Sequence, residues 1–219
     1  MWANRNSMAS KIIEALQWRY ATKKFDPLKS LSVEKLEILK ESFNLTATSY
    51  GLQPLKMIIV SNPEIKEKLV PITMNQYQVM DASHVLVLCT ETEIGEEFIK
   101  NYFKQIEETR KTPRSILDPF ETFLVDDFSE KIKADIDVWM QKQAYIAMGN
   151  LLTVCALEGI DACPIEGFEP EKYDALLQLE ELGLKSVLVL PVGYRADDDI
   201  FSDLKKVRRG VDNVIIEIK

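Results

Sequence analysis

The 219-residue sequence contains one histidine and three cysteines. A single histidine, His84, argues against a zinc site and against the Ser/His and Cys/His arrangements of hydrolases. Cys89, Cys155 and Cys163 are odd in number, lie far apart and stand among apolar residues. We therefore interpret the three cysteines as buried hydrophobic residues rather than as metal ligands or disulfide partners.

Glycine-rich nucleotide motifs, long apolar runs and an excess of positive charge are also absent. Without G-x-G-x-x-G or a P-loop, a Rossmann-type dinucleotide fold is unsupported. No uncharged run reaches membrane-spanning length, and the polar N-terminus lacks the apolar core of a secretory signal. The net charge of −8 disfavours binding to nucleic acid or to an anionic membrane. We therefore expect a cytoplasmic protein. The overall negative charge does not exclude a local basic site for a phosphorylated ligand.

The apolar pattern predicts a single α+β domain over residues 1–219, with a central mixed β-sheet flanked by helices. Apolar residues make up 46% of the chain, which is enough for a substantial core. Residues 1–9 read as an N-terminal extension, and the weakly patterned residues 110–128 read as a variable loop or lid. The predicted strands are 55–60, 84–89, 186–193 and 213–218.

Capping residues and periodic apolar positions predict helices between these strands. Ser32 caps one helix, and Asn62 followed by Pro63 begins another that runs to Leu69. The longest helical pattern runs from residue 129 to about residue 158, and its second half is apolar on nearly every side. That half is typical of a central helix or of a dimer-interface helix. The remaining predicted helices are 10–19, 94–109 and 169–182, the last ending at Gly183.

Proline and glycine stand three residues apart in the segment that follows the longest helix. Residues 161–168 read Asp-Ala-Cys-Pro-Ile-Glu-Gly-Phe, after a predicted left-handed cap at Gly159. Pro164 fixes its own φ and lacks an N–H, while Gly167 permits a close approach to the backbone. Such a segment can direct its backbone N–H groups at a flat ligand. Taken alone, it is more typical of an ordinary helix-to-strand connection.

Two dense basic clusters lie at opposite ends of the sequence. Residues 19–24 read Arg-Tyr-Ala-Thr-Lys-Lys, and residues 205–209 read Lys-Lys-Val-Arg-Arg. Each cluster can bind a phosphate through charge-assisted hydrogen bonds or can form a solvated surface, and composition alone favours the surface. A polar loop at 46–54 offers hydroxyls, an amide and a glycine for ligand hydrogen bonds, although many loops share this composition.

Six motifs occur together in the order and spacing of one protein family. They are Arg19-x-x-x-Lys23-x-Phe25, Ser49-x-x-x-Gln53-Pro54, Asp81-Ala82-Ser83-His84-Val85, Lys142-Gln143-x-Tyr145-x-x-x-Gly149-Asn150, Pro164-Ile165-Glu166-Gly167-Phe168 and Lys206-x-Arg208. From about residue 12 to residue 218, the chain resembles the FMN-dependent, oxygen-insensitive NAD(P)H nitroreductases of bacteria. The resemblance implies a nitroreductase-like fold and a homodimer with FMN at the interface, in which the C-terminal strand is exchanged with the partner subunit.

The resemblance also implies roles for individual residues. Cations of the two basic clusters would hold the FMN phosphate, whose charge of about −2 suits several Lys and Arg side chains. The backbone of 164–167 would lie against the isoalloxazine ring, with the Glu166 amide N–H directed at flavin N5, and no acid or base is assigned. The implied cofactor-binding set is Arg19, Tyr20, Ala21, Lys23, Thr48, Ser49, Gly51, Gln53, Asn75, Gln78, Gln143, Pro164, Ile165, Glu166, Gly167, Lys206 and Arg208.

Within this set, the implied contacts are divided between the two subunits. Thr48 and Ser49 would reach the flavin from the other subunit, whereas Gln143 and Asn75 would contact the ring edge or the ribityl chain. Three positions depart from the usual family residues, each with the loss of one contact to the cofactor. These positions are Ala21, Gly51 and Gln78.

The implied activity is reduction of nitroaromatics, quinones or similar electron-poor acceptors by NAD(P)H, in a ping-pong two-electron transfer. Phe120, Phe123 or Phe128 would form one wall of the acceptor pocket by stacking, although core packing explains any one of them equally well. Two alternatives stay open: a dihydropteridine or enone reductase of the same fold, and a flavin-binding protein without physiological turnover. The preference between NADH and NADPH is not marked by any motif.

Overall fold

The protein's computed structural model describes the backbone of residues 3–219 and the side-chain surroundings of residues 11–219. A four-stranded sheet forms its centre, in the order β1-β2-β4-β3, and every strand pair in it is antiparallel. The prediction of a mixed sheet is therefore wrong for this chain, where the parallel contact is an isolated bridge between Ala21 and Ala162. The strands are β1 (Leu55–Val60), β2 (His84–Glu91), β3 (Asp161–Ala162) and β4 (Leu184–Gly193).

Eight α-helices within the described residues surround this sheet, which confirms the α+β class. No helix in the described part of the chain combines the length and apolarity needed to cross a membrane. The helices are α1 (Ala3–Trp18), α2 (Val33–Asn44), α3 (Pro63–Leu69), α4 (Gln78–Asp81), α5 (Glu96–Arg110), α6 (Arg114–Glu130), α7 (Lys133–Leu157) and α8 (Pro170–Leu176).

Both faces of the sheet are buried. Alternate residues of each central strand point to opposite faces, and apolar side chains occupy both sets of positions in β2. Val85 and Val87 of β2 pack in one core with residues of α3, α4 and α8. Leu86 and Leu88 pack in a second core against α7, around Leu151. A third cluster joins α5, α6 and the first half of α7. The long α7 thus fixes the position of the sheet relative to the α5–α6 pair.

Several predicted boundaries are corrected by the structure. The first helix begins at residue 3, so the predicted extension 1–9 is its first half as far as the described residues go. Its apolar face is not inward in this chain, since Ile13 is 55% exposed and Leu16 38% exposed. The last predicted helix is also shorter: α8 ends at Leu176, and a separate 3-10 turn leads to Gly183, whose φ is +67°.

The segment 110–128 is not an irregular loop but mainly the helix α6. Its buried residues Leu117, Leu124 and Phe128 repeat at helical spacing, which gives the helix an apolar face. Pro119 lies within the second turn and weakened the sequence signal. In consequence, Ser129 belongs to the end of α6, and α7 begins only at Lys133.

The second half of α7 is buried on one side only. Tyr145, Ile146 and Leu157 are each about half exposed, at 49%, 50% and 48%. The predicted strand 213–218 is also not formed in the single chain, where the whole of 205–219 is exposed. One side of α7 and the segment 213–218, both predicted from the sequence to be buried, are therefore exposed to solvent in the single chain.

Candidate cofactor site

The segment 161–168 is attached to β4 along its first half. The helix α7 ends at Leu157, and Gly159, two residues later, has the predicted left-handed conformation with a φ of +63°. The chain then enters β3, after which the Cys163 N–H donates to the Pro191 carbonyl at 3.1 Å. Ile165 exchanges two backbone hydrogen bonds with Val189, at 2.8 and 3.1 Å. These bonds fix the backbone as far as Ile165 and deliver the next residues to the surface.

The two residues that follow are exposed on one side and supported on the other. Glu166 is exposed, and its amide N–H donates to no acceptor among the described residues. Beneath it, the Gln76 side-chain amide donates to the Gly167 carbonyl at 3.1 Å. A Cβ on Gly167 would lie 3.1 Å from the Met74 sulfur, so this position has little room for a side chain. The segment therefore presents a free, supported N–H donor at Glu166.

Asn75 lies in the same supporting loop. Met74 and Asn75 both have positive φ, at 53° and 56°, which turns the chain sharply under the 166–167 segment. The Asn75 side chain is exposed, whereas Gln78 is buried as the first residue of α4. The structure thus brings Asn75 to the same surface as Glu166 and leaves Gln78 beneath it.

The two basic clusters meet at this edge of the molecule. The Lys206 ammonium donates to the Arg19 carbonyl, and a pocket is lined by residues of both clusters, including Arg208. Burial first and the Arg208 charge second lower the pKa of Arg19. Burial likewise lowers the pKa of Lys206, helped by Arg19 and Arg208. None of these three cations forms an ion pair among the described residues, so their charges are left to an external anion.

Lys23 extends this cationic surface toward the 161–168 segment. Burial raises the pKa of the Cys163 thiol, while the charges of Lys23 and Arg19 oppose the rise. Ala21 is bridged to Ala162, and the Thr22 N–H donates to the Ala162 carbonyl at 3.3 Å. The N-terminal basic cluster and the segment that leads to Glu166, far apart in sequence, are therefore neighbours in the fold.

Two buried carboxylates that the sequence did not single out hold the basic clusters in place. Asp199 is 4% exposed and accepts a hydrogen bond from the Tyr20 hydroxyl at 2.7 Å. Asp161 is 5% exposed and binds Arg195, whose guanidinium lies 4.6 Å from the Tyr20 ring centre. Asp199 and the exposed Asp197 and Asp198 are identical in sequence, so only tertiary structure distinguishes them.

The other predicted site residues form a second group on the α2–β1 loop and α7. The Ser49 N–H donates to the buried Gln143 side-chain carbonyl at 2.9 Å. Thr48 accepts from the Gln53 N–H at 3.0 Å, which closes the loop. Gly51 has a φ of +74°, and a Cβ there would lie 2.3 Å from the Tyr102 hydroxyl. Within one chain, no hydrogen bond, ion pair or ring contact between described residues joins a member of this group to the basic clusters.

Aromatic rings border this second group. Tyr50 lies 6.5 Å from Phe120 and 6.2 Å from Phe128, ring centre to ring centre. Phe120 and Phe123 stack at 6.1 Å and are both exposed, at 44% and 53%. Phe128 is 4% exposed and packs within the third core cluster. Of the three phenylalanines considered for an acceptor wall, Phe120 and Phe123 are therefore accessible in this chain.

Comparisons with known proteins give the family and the fold. A family model described as the nitroreductase family matches residues 16–194. The oxygen-insensitive NAD(P)H nitroreductase of Salmonella typhimurium is 32% identical over 216 residues, which cover 94% of this chain and 99% of that protein.

Solved structures share the fold over almost the whole chain. A nitroreductase-like protein from Streptococcus mutans matches with a TM-score of 0.83 at 19% identity, over 96% of this chain and 100% of its own. A nitroreductase structure from Exiguobacterium sibiricum, determined in complex with FMN, matches with a TM-score of 0.80 at 20% identity, over 94% of this chain and 97% of its own. Because the family model covers most of the chain and the Salmonella relative is similar over nearly its full length, this chain belongs to the nitroreductase family.

Proposed function

We propose that the protein is an FMN-dependent oxidoreductase that uses NAD(P)H to reduce nitroaromatics, quinones or similar electron-poor acceptors. Family membership and the activity named for the Salmonella relative support this proposal. The observation that carries it is that cations without an ion pair among the described residues belong to a cluster bridged, through Ala21 and Ala162, to the segment that ends in the free backbone donor at Glu166.

The donor set fits the phosphate end of FMN. Burial first, and the charges of neighbouring cations next, lower the pKa of Arg19 and of Lys206, and neither side chain forms an ion pair with a carboxylate among the described residues. A phosphate dianion would relieve that repulsion and accept several charge-assisted hydrogen bonds, for which the planar Arg guanidinium is well suited. Lys23 would extend the same positive surface toward the ring of the cofactor.

The other end of the surface fits the flavin ring. The Glu166 amide is the free donor, and Gly167 leaves the adjoining space without a side chain. We therefore propose that 164–167 lies along the ring with the Glu166 N–H donating to a ring nitrogen. When bound, FMN would take a hydride from NAD(P)H and pass two electrons to the acceptor. The role of this chain is to bind and orient: the cations fix the phosphate, and the 166–167 backbone, held from below by Gln76, fixes the ring.

We further propose a homodimer in which each site is completed by both subunits. The two groups of predicted site residues are separate within one chain, and α7 lies between them with Tyr145, Ile146 and Leu157 exposed. Pairing of α7 with a second copy would cover these side chains. It would also bring Thr48 and Ser49 of one subunit toward the basic clusters of the other.

The C-terminal segment is the second proposed contact. Ile216 and Ile218 are 90% and 96% exposed in the single chain, which is unfavourable for two isoleucines so close together. Exchange of 213–218 with the partner would bury them as the predicted strand. We place the protein in the cytoplasm, where its three free, buried cysteines would stay reduced.

Visible absorbance of the purified protein, before and after anaerobic addition of NADH or NADPH, tests the function. We expect a bound-flavin spectrum that bleaches with at least one nucleotide and recovers when an acceptor is added. Recovery rates with a nitroaromatic, a quinone, an enone and a dihydropteridine would then rank the acceptor classes. A yellow protein that neither nucleotide bleaches would favour a flavin-binding role without turnover, and a protein that stays colourless after incubation with FMN would contradict the proposal.

A further inference from the structure

The carboxylate of Asp199 occupies the junction between the two basic clusters. It lies on the loop that leads from β4 to Lys206 and is 4% exposed. We propose that Asp199 is a positioning residue for the anion site, which it assembles without touching the cofactor. This inference rests on the proposed FMN function and adds a determinant of affinity to it.

Four donors converge on this one side chain. Its Oδ2 accepts from the Tyr20 hydroxyl at 2.7 Å, from the Lys23 N–H at 2.9 Å and from the Lys24 N–H at 3.0 Å. Its Oδ1 accepts from the Phe201 N–H at 3.1 Å. One oxygen therefore binds the N-terminal basic cluster, and the other binds the loop that carries the late cluster. The carboxylate connects the two segments whose cations must face the same phosphate.

The hydrogen bonds to Asp199 orient the backbone of the N-terminal basic cluster at Lys23 and Lys24. Ala21 is already bridged to Ala162, and the Thr22 N–H donates to the Ala162 carbonyl at 3.3 Å. These contacts fix the segment before Lys23. The carboxylate then fixes the backbone of Lys23 itself, leaving its side chain exposed toward solvent. Loss of the carboxylate would free three N–H donors and one hydroxyl in a buried place, and the loop would have to rearrange.

The sign of the effect separates positioning from simple electrostatics. A negative charge beside an anion site repels the anion, so its removal should strengthen phosphate binding if charge alone matters. If Asp199 positions the cations, its removal should weaken phosphate binding instead. The two explanations predict opposite changes for the same substitution, Asp199→Asn.

The test compares the affinities of FMN and riboflavin, which lacks the phosphate, for the full-length protein by fluorescence titration. For Asp199→Asn we expect FMN affinity to fall by about tenfold or more, the scale of one charge-assisted hydrogen bond, with riboflavin affinity unchanged. Asp203→Asn is the matched control, since Asp203 is exposed on the same loop and loses the same charge. We expect it to bind both flavins as the wild type does.

Tyr20→Phe keeps the proposal testable if Asp199→Asn does not fold. This variant removes one of the four donors and should lower FMN affinity by a smaller factor, about two- to fivefold, again with riboflavin unchanged. Unchanged or tighter FMN binding in the folded variant would overturn the positioning role, and so would an equal loss for both flavins. A wild-type protein that binds no FMN would instead contradict the proposed function.

Discussion

At the scale of single residues, the strongest feature is a set of cations that form no ion pair with any residue whose side chain the structure describes. Burial first lowers the pKa of Arg19 and of Lys206, and the charge of Arg208 in the late basic cluster adds to both shifts. Its guanidinium donates to the neighbouring Val207 carbonyl at 2.6 Å and to no carboxylate among the described residues. Its charge is therefore available to a ligand rather than used by the fold.

Arg208→Ala should produce protein that folds but is purified mostly without FMN. Loss of a guanidinium–phosphate contact costs about 1.5–3 kcal/mol, or roughly ten- to a hundredfold in affinity. Arg209→Ala is the matched control, because the Arg209 side chain is also exposed and bonds only weakly to the Asn213 carbonyl at 3.4 Å. The flavin-to-protein ratio, read from the absorbance spectrum, checks both variants. Equal flavin content in Arg208→Ala and wild type would mean that the anchor lies elsewhere.

His84 gives a pH-dependent prediction. Burial first, and the nearby charges of Lys66 and Lys40 next, lower the pKa of His84. The unfolded chain, with a pKa of about 6.5, then binds the proton more tightly than the folded chain does. The contribution of His84 to the free energy of unfolding is thus constant well above that value and decreases as the pH falls from it toward the folded pKa.

We expect the wild type to lose stability relative to His84→Gln as the pH falls below about 7.5. Carboxylate titrations affect both proteins alike and cancel in the comparison. Because the chain has one histidine, no other imidazole contributes to the difference. Urea unfolding at a series of pH values measures the difference. A difference that does not change with pH would show that the ring protonates equally well in both states.

At the scale of elements, prediction succeeded where the signal was local. Ser32 accepts a hydrogen bond from the Lys35 N–H and begins α2, and Asn62 with Pro63 begins α3, as predicted from capping chemistry. The helix α6 was missed because Pro119 interrupts its pattern and its apolar face is narrow. Asp199 was missed for another reason. Its hydrogen-bond partner Tyr20 is 179 residues away in the sequence, so no local sequence pattern marks the contact.

Truncation of two phenylalanines of α6 should affect different properties, namely stability for Phe128 and acceptor binding for Phe123. Phe128 is 4% exposed and packs against Trp139 at 5.2 Å between ring centres, so Phe128→Ala should destabilise the protein by about 3–5 kcal/mol. Phe123 is 53% exposed, so Phe123→Ala should change stability by less than about 0.5 kcal/mol and raise KM for aromatic acceptors. Thermal unfolding and steady-state kinetics check the pair. Similar destabilisation by both substitutions would mean that Phe123 is buried in the assembled protein.

At the scale of the whole molecule, one chain has the parts of a site without bringing them together. The basic clusters meet through Lys206 and Arg19 and are bridged to Ala162 at Ala21, whereas Ser49 bonds to Gln143 in a separate group. The family resemblance predicted these residues and their division between two subunits, but not the contacts within one chain, because those depend on where α7 runs and on what covers its exposed side. The same reasoning applies to 213–218, whose alternating isoleucines predict a strand that the isolated chain has no neighbour to pair with.

Charged substitutions at Ile216 and Ile218 test the dimer directly. Both side chains are almost fully exposed in one chain, so Ile216→Asp with Ile218→Asp should not affect a monomer. If the segment is exchanged, two carboxylates would enter an apolar interface, and burial of such groups costs several kcal/mol. We therefore expect the wild type to be a dimer by light scattering and the double variant to shift toward monomer and lose FMN. Leu28→Asp is the control, at an apolar side chain 92% exposed and outside both proposed contacts. A double variant that remains a flavin-loaded dimer would exclude strand exchange while leaving the contact through α7 intact.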